Sequence, residues 1–127
     1  MTFLVFLSNR KIVSLTIILH ALITAPAFGG DMQQEINHLL QFVKHTVCQY
    51  ERNGQLHSGK EAVEHIKKKY YYFKDDIDST EKFIELSATK STLSGKFYFV
   101  HCPNRPPLKS QDWLLEELNH YRKEVGS

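Results

Sequence analysis

The chain has 127 residues, of which 42% are hydrophobic and 24% are charged. This length is sufficient for one domain of ordinary size and too short for two. The composition is typical of a globular protein, so it argues against an intrinsically disordered chain and against a coiled coil.

The N-terminal segment has the pattern of a cleaved signal peptide. Arg10 and Lys11 precede an uncharged apolar run, and an Ala-Pro-Ala sequence at residues 25–27 ends this run as a small-residue cleavage site. We therefore expect residues 1–27 to be a signal peptide and residues 28–127 to form a single secreted α+β domain. An uncleaved membrane anchor is the alternative, but the apolar run is short for a membrane span.

Export would place the protein in the periplasm or outside the cell. It would also remove the basic bias of the chain, because the full sequence has 16 Lys and Arg against 14 Asp and Glu, and Arg10 and Lys11 belong to the leader. The mature domain is then formally neutral, so its charge gives no support for nucleic-acid binding. Contact with the membrane is expected only through the signal peptide before cleavage.

The first predicted helix begins after Asp31, a candidate N-cap with Gln34 in the capping-box position. Its apolar residues recur at spacings of three and four, which predicts an amphipathic helix that runs to about Gln49. Cys48 would lie beside the apolar stripe, near the end of this helix. The residues of the stripe are Met32, Ile36, Leu39, Leu40, Val43, Val47 and Tyr50.

Turn and capping signals define the next elements. The Asn53-Gly54 pair is the strongest short signal for a β-hairpin, and it predicts two very short strands. Ser58 then opens a second helix, with Glu61 as its capping-box partner. A third helix is expected to begin at a cap provided by Asp78 or Ser79.

The second half of the chain contains the best strand of the sequence. Residues 96–102 are rich in aromatic and β-branched side chains, as strands are. Three prolines then end regular structure, and Ser110 is expected to cap a last helix with Trp113 on its apolar side. Together these elements predict a mainly helical α+β fold, with about four helices, a small antiparallel sheet of two to three strands and one disulfide.

Cys48 and Cys102 are the two cysteines of the chain, and one disulfide between them is the simplest use of both in an oxidising compartment. It would close a loop of 55 residues, which contributes about 4 kcal/mol on the chain-entropy model. The alternative is a cysteine nucleophile with His45 one helical turn away. No other feature of the sequence supports acyl transfer.

The sequence predicts no metal and no cofactor. None of its spacings matches a structural zinc site, a haem attachment site or a calcium loop. Glu61 and His65 are four positions apart, which is more typical of a surface pair on a helix. Ser91, Ser94 and Lys96 could form an anion site, but their loop leads into a strand, whereas a phosphate-binding loop opens a helix.

Five short stretches carry a pattern that is specific in combination. They are Cys48-x-Tyr50-x-Arg52-Asn53-Gly54, Glu61-Ala62-x-x-His65-x-x-x-Lys69, Thr80-Glu81-x-Phe83-Ile84, Ala88-Thr89-x-Ser91-x-x-Ser94-Gly95-Lys96-x-Tyr98-x-Val100-x-Cys102 and Trp113-Leu114-x-x-Glu117-Leu118. Over roughly residues 35–122 the chain resembles a family of small secreted bacterial proteins of unknown function. The resemblance implies an exported, single-domain protein in which both cysteines belong to the family pattern. It implies no activity.

Polar residues of this pattern that have no obvious role in the core are the candidates for a binding surface. Each also has a plain structural explanation, such as turning the chain or binding the backbone. The candidates are Arg52, Asn53, His65, Lys69, Ser91, Ser94, Lys96 and Tyr98.

Three functions remain open. The first is a non-catalytic periplasmic interaction module that binds an envelope protein or a cell-wall component, and the lack of a complete catalytic constellation favours it. The second is the binding of a small molecule or an anion by Arg52, His65 and Lys96. The third is a hydrolase of cell-envelope material, with His65 as base and Glu61 or Glu81 within hydrogen-bond reach.

An interaction module would be expected to expose an apolar patch to water. Phe97, Phe99 and Trp113 are the candidates for this patch. Whether the protein is an enzyme is left open by the sequence, which favours a binding function.

Overall fold

The computed structural model describes residues 31–126, so the predicted signal peptide at residues 1–27 lies outside the described residues. Four helices and four strands follow one another along this range. They are α1 (Met32–Lys44), β1 (Gln49–Arg52), β2 (Gln55–His57), α2 (Gly59–Tyr72), a 3-10 turn (Lys74–Asp76), α3 (Thr80–Ser87), β3 (Phe99–His101), β4 (Leu108–Lys109) and α4 (Ser110–Val125). The mainly helical α+β fold is confirmed, although the sheet has one strand more than predicted.

The strands form one antiparallel sheet in the order β2-β1-β3-β4. β1 is an inner strand, with Tyr50 opposite His57 of β2 on one side and opposite Val100 of β3 on the other. β1 and β2 are joined through Asn53 and Gly54, which have φ angles of 51° and 78°. Positive angles at both residues are what a two-residue hairpin turn requires, so the predicted hairpin is confirmed.

β3 is shorter than the strand predicted at residues 96–102. Before β3 begins, Phe97 pairs with Lys90 in an isolated bridge, and the backbone N–H of Tyr98 donates to the carbonyl of Thr89 at 2.9 Å. The aromatic segment is therefore shared between two partners, the residues that follow α3 and the sheet. β4 consists of two residues that follow a pair of prolines, and so short an element leaves no periodic pattern in the sequence.

α1 ends at Lys44, before the predicted end near Gln49. Val47, assigned to the apolar stripe, is 83% exposed. The chain has already turned at this point, since the backbone N–H of Cys48 donates to Oγ1 of Thr46 at 3.1 Å. The prediction was wrong because the following residues pair with two neighbouring strands, and this tertiary pairing overrides helical periodicity.

Ser58 and Ser79 cap α2 and α3 as predicted, and each hydroxyl accepts a hydrogen bond from a backbone N–H in the first turn of its helix. Ser110 does not cap α4. Lys109 holds the cap position without a side-chain hydrogen bond, and the hydroxyl of Ser110 is buried against the hydroxyl of Tyr50. The hydroxyl of Ser110 is used as the hydrogen-bond partner of the buried Tyr50 hydroxyl, so it does not cap α4.

The helices cover one face of the sheet. α2 packs against β1 and β2, α4 packs against β3 and β4, and α1 contacts the other three helices. Tyr50 and Val100 are paired and buried on the covered face, whereas the next pair, Glu51 and Phe99, is partly exposed on the other face. α2 starts so close to α1 that a Cβ on Gly59 would lie 2.1 Å from a backbone oxygen, which explains the glycine.

Cys48 and Cys102 form the predicted disulfide, with their Cα atoms 4.3 Å apart. It joins the residue before β1 to the residue after β3, next to the paired residues Gln49 and His101. The disulfide therefore fastens the two inner strands of the sheet to each other. Within residues 31–126, no helix combines the length and the apolar character that crossing a membrane requires.

Candidate functional site

Three of the predicted binding residues meet where the sheet packs against α2. Arg52 is the last residue of β1, His65 lies on α2, and Tyr98 comes directly before β3. Together with His57 they line a cavity of about 10 Å³, which is close to the space that one water molecule needs. We refer to Arg52, His65, Lys69 and Tyr98 as the basic site.

A directed chain of hydrogen bonds connects three members of the basic site. Nζ of Lys69 lies 2.5 Å from the carbonyl oxygen of Lys90 and 3.4 Å from Oη of Tyr98, and an ammonium group can only donate. The hydroxyl of Tyr98 accepts from Lys69, and its own proton has no acceptor within residues 31–126 other than Nε2 of His65, 3.1 Å away, so we assign Tyr98 as the donor to His65. This places the proton of neutral His65 on Nδ1, which makes no hydrogen bond within residues 31–126.

The electrostatics of the basic site keep His65 neutral. Burial, followed by the positive charge of its neighbours, lowers the pKa of His65 to about 4. Burial also lowers the pKa of Lys69 and raises the pKa of Tyr98. The groups that lower the pKa of His65 by their charge are Arg52 of β1, His57 of β2, and Lys68 and Lys69 of α2.

The guanidinium of Arg52 makes no hydrogen bond and no ion pair with any residue in the range 31–126, although its backbone pairs with Gln55. Of the carboxylates nearby in the sequence, Glu61 is bonded to His57 at 2.9 Å, and Glu51 lies 3.3 Å from Nε2 of His101 without a hydrogen bond to it. The basic site thus contains a guanidinium without a partner beside further positive charge. Such a group is suited to receive an anionic oxygen ligand.

The hydrolase hypothesis needs a carboxylate within hydrogen-bond reach of His65. In the described part of the chain His65 bonds to a tyrosine hydroxyl, while Glu61 is bonded to His57 and Glu81 to Arg122. With a pKa of about 4, His65 is also a weak base at neutral pH. No group of three or more His, Cys, Asp or Glu residues within 31–126 could hold a metal ion. The geometry gives no support to His65 as a general base.

Asn53, Ser91 and Ser94 lie together, and their side chains hold the loop before β3 in place. Oγ of Ser94 donates to Oδ1 of Asn53 at 2.8 Å, which links this loop to the tip of the hairpin. Oγ of Ser91 accepts from the backbone N–H of Ser94 at 3.2 Å. Lys96 is exposed, and its backbone N–H donates to Oγ of Ser94 at 3.2 Å. The side chains of Asn53, Ser91 and Ser94 thus have local structural roles beside the basic site, and Lys96 takes part through its backbone.

His57 was not among the predicted binding residues, although it lines the cavity. The sequence did contain a signal for it. A two-residue turn at Asn53-Gly54 pairs Arg52 with Gln55 and therefore Tyr50 with His57, and paired residues share one face of a sheet. Register counting from the turn would have placed His57 on the same face as Arg52.

The chain is similar to known proteins over nearly the whole described range. Residues 30–122 match the family model of DUF5329, a family of unknown function. The chain belongs to DUF5329. It is also similar to the uncharacterised protein YfeK of Salmonella typhimurium (strain LT2), with 33% identity over 93 residues that cover 70% of this chain and 76% of that protein. No solved structure matches the chain significantly.

The DUF5329 match confirms the resemblance to an uncharacterised bacterial family, and it carries no activity over to this chain.

One of the three residues expected in an exposed apolar patch was predicted wrongly. Trp113 is only 5% exposed, because the apolar side of α4 points into the core, where Trp113 packs on Phe42 at 4.6 Å between ring centroids. Phe97 is 41% exposed and lies under Nζ of Lys109, while Phe99 is partly buried.

The lowered pKa of His65 predicts an acid-sensitive stability in this DUF5329 protein. Because the pKa is about 4 in the folded state against 6.5 for an ordinary histidine, the unfolded chain binds more protons between these values. The stabilisation is fully present above pH 6.5 and is lost as the pH falls towards 4. Urea unfolding of the wild type should therefore show a declining midpoint through this window.

A His65→Gln variant should lack this part of the pH dependence, since glutamine does not titrate. His120→Gln is the matched control, because the side chain of His120 is 63% exposed. The account of His65 is wrong if the wild type and His65→Gln have parallel profiles between pH 6.5 and 4, or if His120→Gln changes the profile as much.

Proposed function

We propose that this protein is an exported, non-catalytic interaction module of the bacterial cell envelope, and that its basic site binds an anionic group of an envelope protein or cell-wall component. The observation that carries the proposal is the unpaired guanidinium of Arg52 beside Lys69 and His65. The apolar leader supports export, and the disulfide is compatible with an oxidising compartment.

The size of the cavity favours a group attached to a larger partner over an enclosed small molecule. Sites that enclose drug-sized ligands have volumes of about 300–1,000 Å³, whereas the cavity at the basic site measures about 10 Å³. A ligand can place one or two atoms in this space, and the rest of it must lie on the surface. This supports the interaction module over the small-molecule binding protein.

The proposal is tested by co-sedimentation of the purified mature protein with isolated bacterial envelope fragments. We expect saturable binding by the wild type. Arg52→Met should weaken it by about tenfold, since it removes a charge-assisted hydrogen-bond donor while retaining most of the side-chain volume. The matched control is Arg105→Met, because Arg105 is 44% exposed and lies 3.7 Å from Glu116, away from the basic site.

Two outcomes would overturn the proposal. One is a wild-type protein that does not sediment with the envelope fragments at any concentration. The other is an Arg52→Met variant that sediments like the wild type and like Arg105→Met. Fractionation of the producing cells tests export in the same preparation, because a periplasmic chain should begin near residue 28.

A further inference from the structure

We infer that the anionic group recognised by the basic site is a terminal phosphoryl group, either free phosphate or a phosphate monoester on a larger molecule. This inference rests on the function proposed above and names the chemistry of its ligand. It is carried by the number of cations, the kinds of hydrogen-bonding groups and the size of the cavity.

The charge of the site matches a dianion. Arg52 and Lys69 are two cations at the basic site, and Lys68 adds positive charge that is felt at His65. In the described residues no carboxylate lines the cavity. A phosphate monoester carries about −1.5 to −2 charges at neutral pH, whereas a carboxylate carries one and would leave a cation uncompensated.

The free hydrogen-bonding groups of Arg52, His65 and Lys69 are donors. Arg52 offers its guanidinium fork, and neutral His65 offers Nδ1–H. The ammonium of Lys69 has three N–H groups, of which the carbonyl of Lys90 and the hydroxyl of Tyr98 accept two. The hydroxyl of Tyr98 is itself used between Lys69 and His65. A ligand at these three residues must therefore accept several hydrogen bonds, as three terminal phosphate oxygens do.

The cavity and the charge of the site together favour a terminal phosphoryl group over a diester. Its volume of about 10 Å³ admits about one oxygen atom, so the remaining oxygens must reach Arg52 and Lys69 at the surface. A phosphodiester has two terminal oxygens and one charge, which is the same deficit as a carboxylate. A terminal phosphoryl group has the third oxygen and the second charge.

The inference is tested by NMR titration of the wild-type protein at constant ionic strength and about pH 7.5, where phosphate is mainly the dianion because its second pKa is about 6. The probes are inorganic phosphate, glycerol 3-phosphate and acetate, and the signals are the His65 ring and the Nε–H of Arg52. Both phosphates should bind saturably, and acetate should bind about tenfold more weakly or less.

Variants and a second readout separate site binding from general screening. Arg52→Met should weaken phosphate binding by about tenfold, Arg52→Lys should weaken it less, and Arg105→Met should leave it unchanged. Bound phosphate should also raise the pKa of His65, because a nearby dianion favours the imidazolium. Thermal unfolding of each variant verifies that it is folded.

The inference is overturned if acetate binds as tightly as phosphate, if neither phosphate gives a saturable change at His65, or if Arg105→Met loses as much affinity as Arg52→Met. Binding of inorganic phosphate without the monoester supports a free-phosphate ligand, and equal binding of both supports an esterified one. If sedimentation with envelope fragments depends on Arg52 but neither phosphate binds in the NMR titration, this inference alone is overturned. The proposed function would then stand.

Discussion

Removal of the disulfide between Cys48 and Cys102 is expected to lower the free energy of unfolding by about 2–5 kcal/mol. The two cysteines are separated by 54 positions, so the reduced unfolded chain gains the freedom that the closed loop denied it. A domain of this size buries only a modest part of its surface on folding, so its total stability is small. The stabilisation lost with the disulfide is therefore a large fraction of the free energy of unfolding.

The measurement is urea unfolding of the oxidised protein, the reduced protein and a Cys48→Ala, Cys102→Ala double variant. The reduced protein and the double variant should unfold at similar, lower urea concentrations, with a steeper dependence on urea because their unfolded chains expose more surface. Reducing agent should leave the double variant unaffected. An unfolding midpoint that is the same for the oxidised and the reduced protein would disprove the role given to the disulfide.

The second large effect is expected at the ion pair between Glu35 and Arg122. The carboxylate of Glu35 is 4% exposed, and Arg122 binds it through Nε at 2.6 Å and Nη2 at 3.0 Å. Thr80 donates to the same carboxylate at 2.6 Å, and Arg122 also binds Glu81. This network joins α4 to α1 and α3, and the hydrogen bonds from Arg122 lower the pKa of Glu35, which keeps it ionised at neutral pH.

Arg122→Met should destabilise the protein by about 2–3 kcal/mol, because it leaves a buried carboxylate without its counter-ion. The expected loss of stability is smaller than for a fully buried ion pair, because the side chain of Arg122 is 34% exposed and water partly screens its charge. A Glu35→Gln, Arg122→Met double variant should recover part of the loss, because the remaining amide carries no charge.

Chemical unfolding of the single and double variants checks this coupling, with Arg105→Met as the control for an exposed arginine. We expect Arg105→Met to change stability by less than about 0.5 kcal/mol. If Arg122→Met is as mild as Arg105→Met, or if the two substitutions at Glu35 and Arg122 are simply additive, the network does not have the stabilising role described here.

Local signals in the sequence were sufficient for most elements of the fold. The hairpin at Asn53-Gly54 and the caps at Ser58 and Ser79 depend on neighbouring residues. The hairpin and Ser58 were predicted correctly, and Ser79 was one of the two residues predicted for its cap. The end of α1 and the role of Ser110 depend on contacts with distant strands, and both were predicted wrongly. Propensity and periodicity report local preference, and tertiary pairing overrides them where a short segment has two strands to join.

The basic site was predictable in its members and not in its arrangement. Arg52, His65, Lys69 and Tyr98 were selected as polar residues without a core role, but Tyr98 is 3% exposed and belongs to the core. The direction of their hydrogen bonds depends on a contact between α2 and the segment before β3. The ion pair of Glu35 and Arg122 could not be foreseen at all. Its partners are 87 positions apart, and each lies in an ordinary amphipathic pattern.

We propose that the protein recognises an envelope component through the basic site. This proposal is tested most directly by mapping backbone NMR signals of a chain of residues 28–127 as solubilised envelope fragments are added. We predict that the perturbed signals cluster at Arg52, His65 and Tyr98 and that Arg52→Met suppresses them. Perturbations confined to the opposite face of the sheet, around Phe97 and Phe99, would contradict the account.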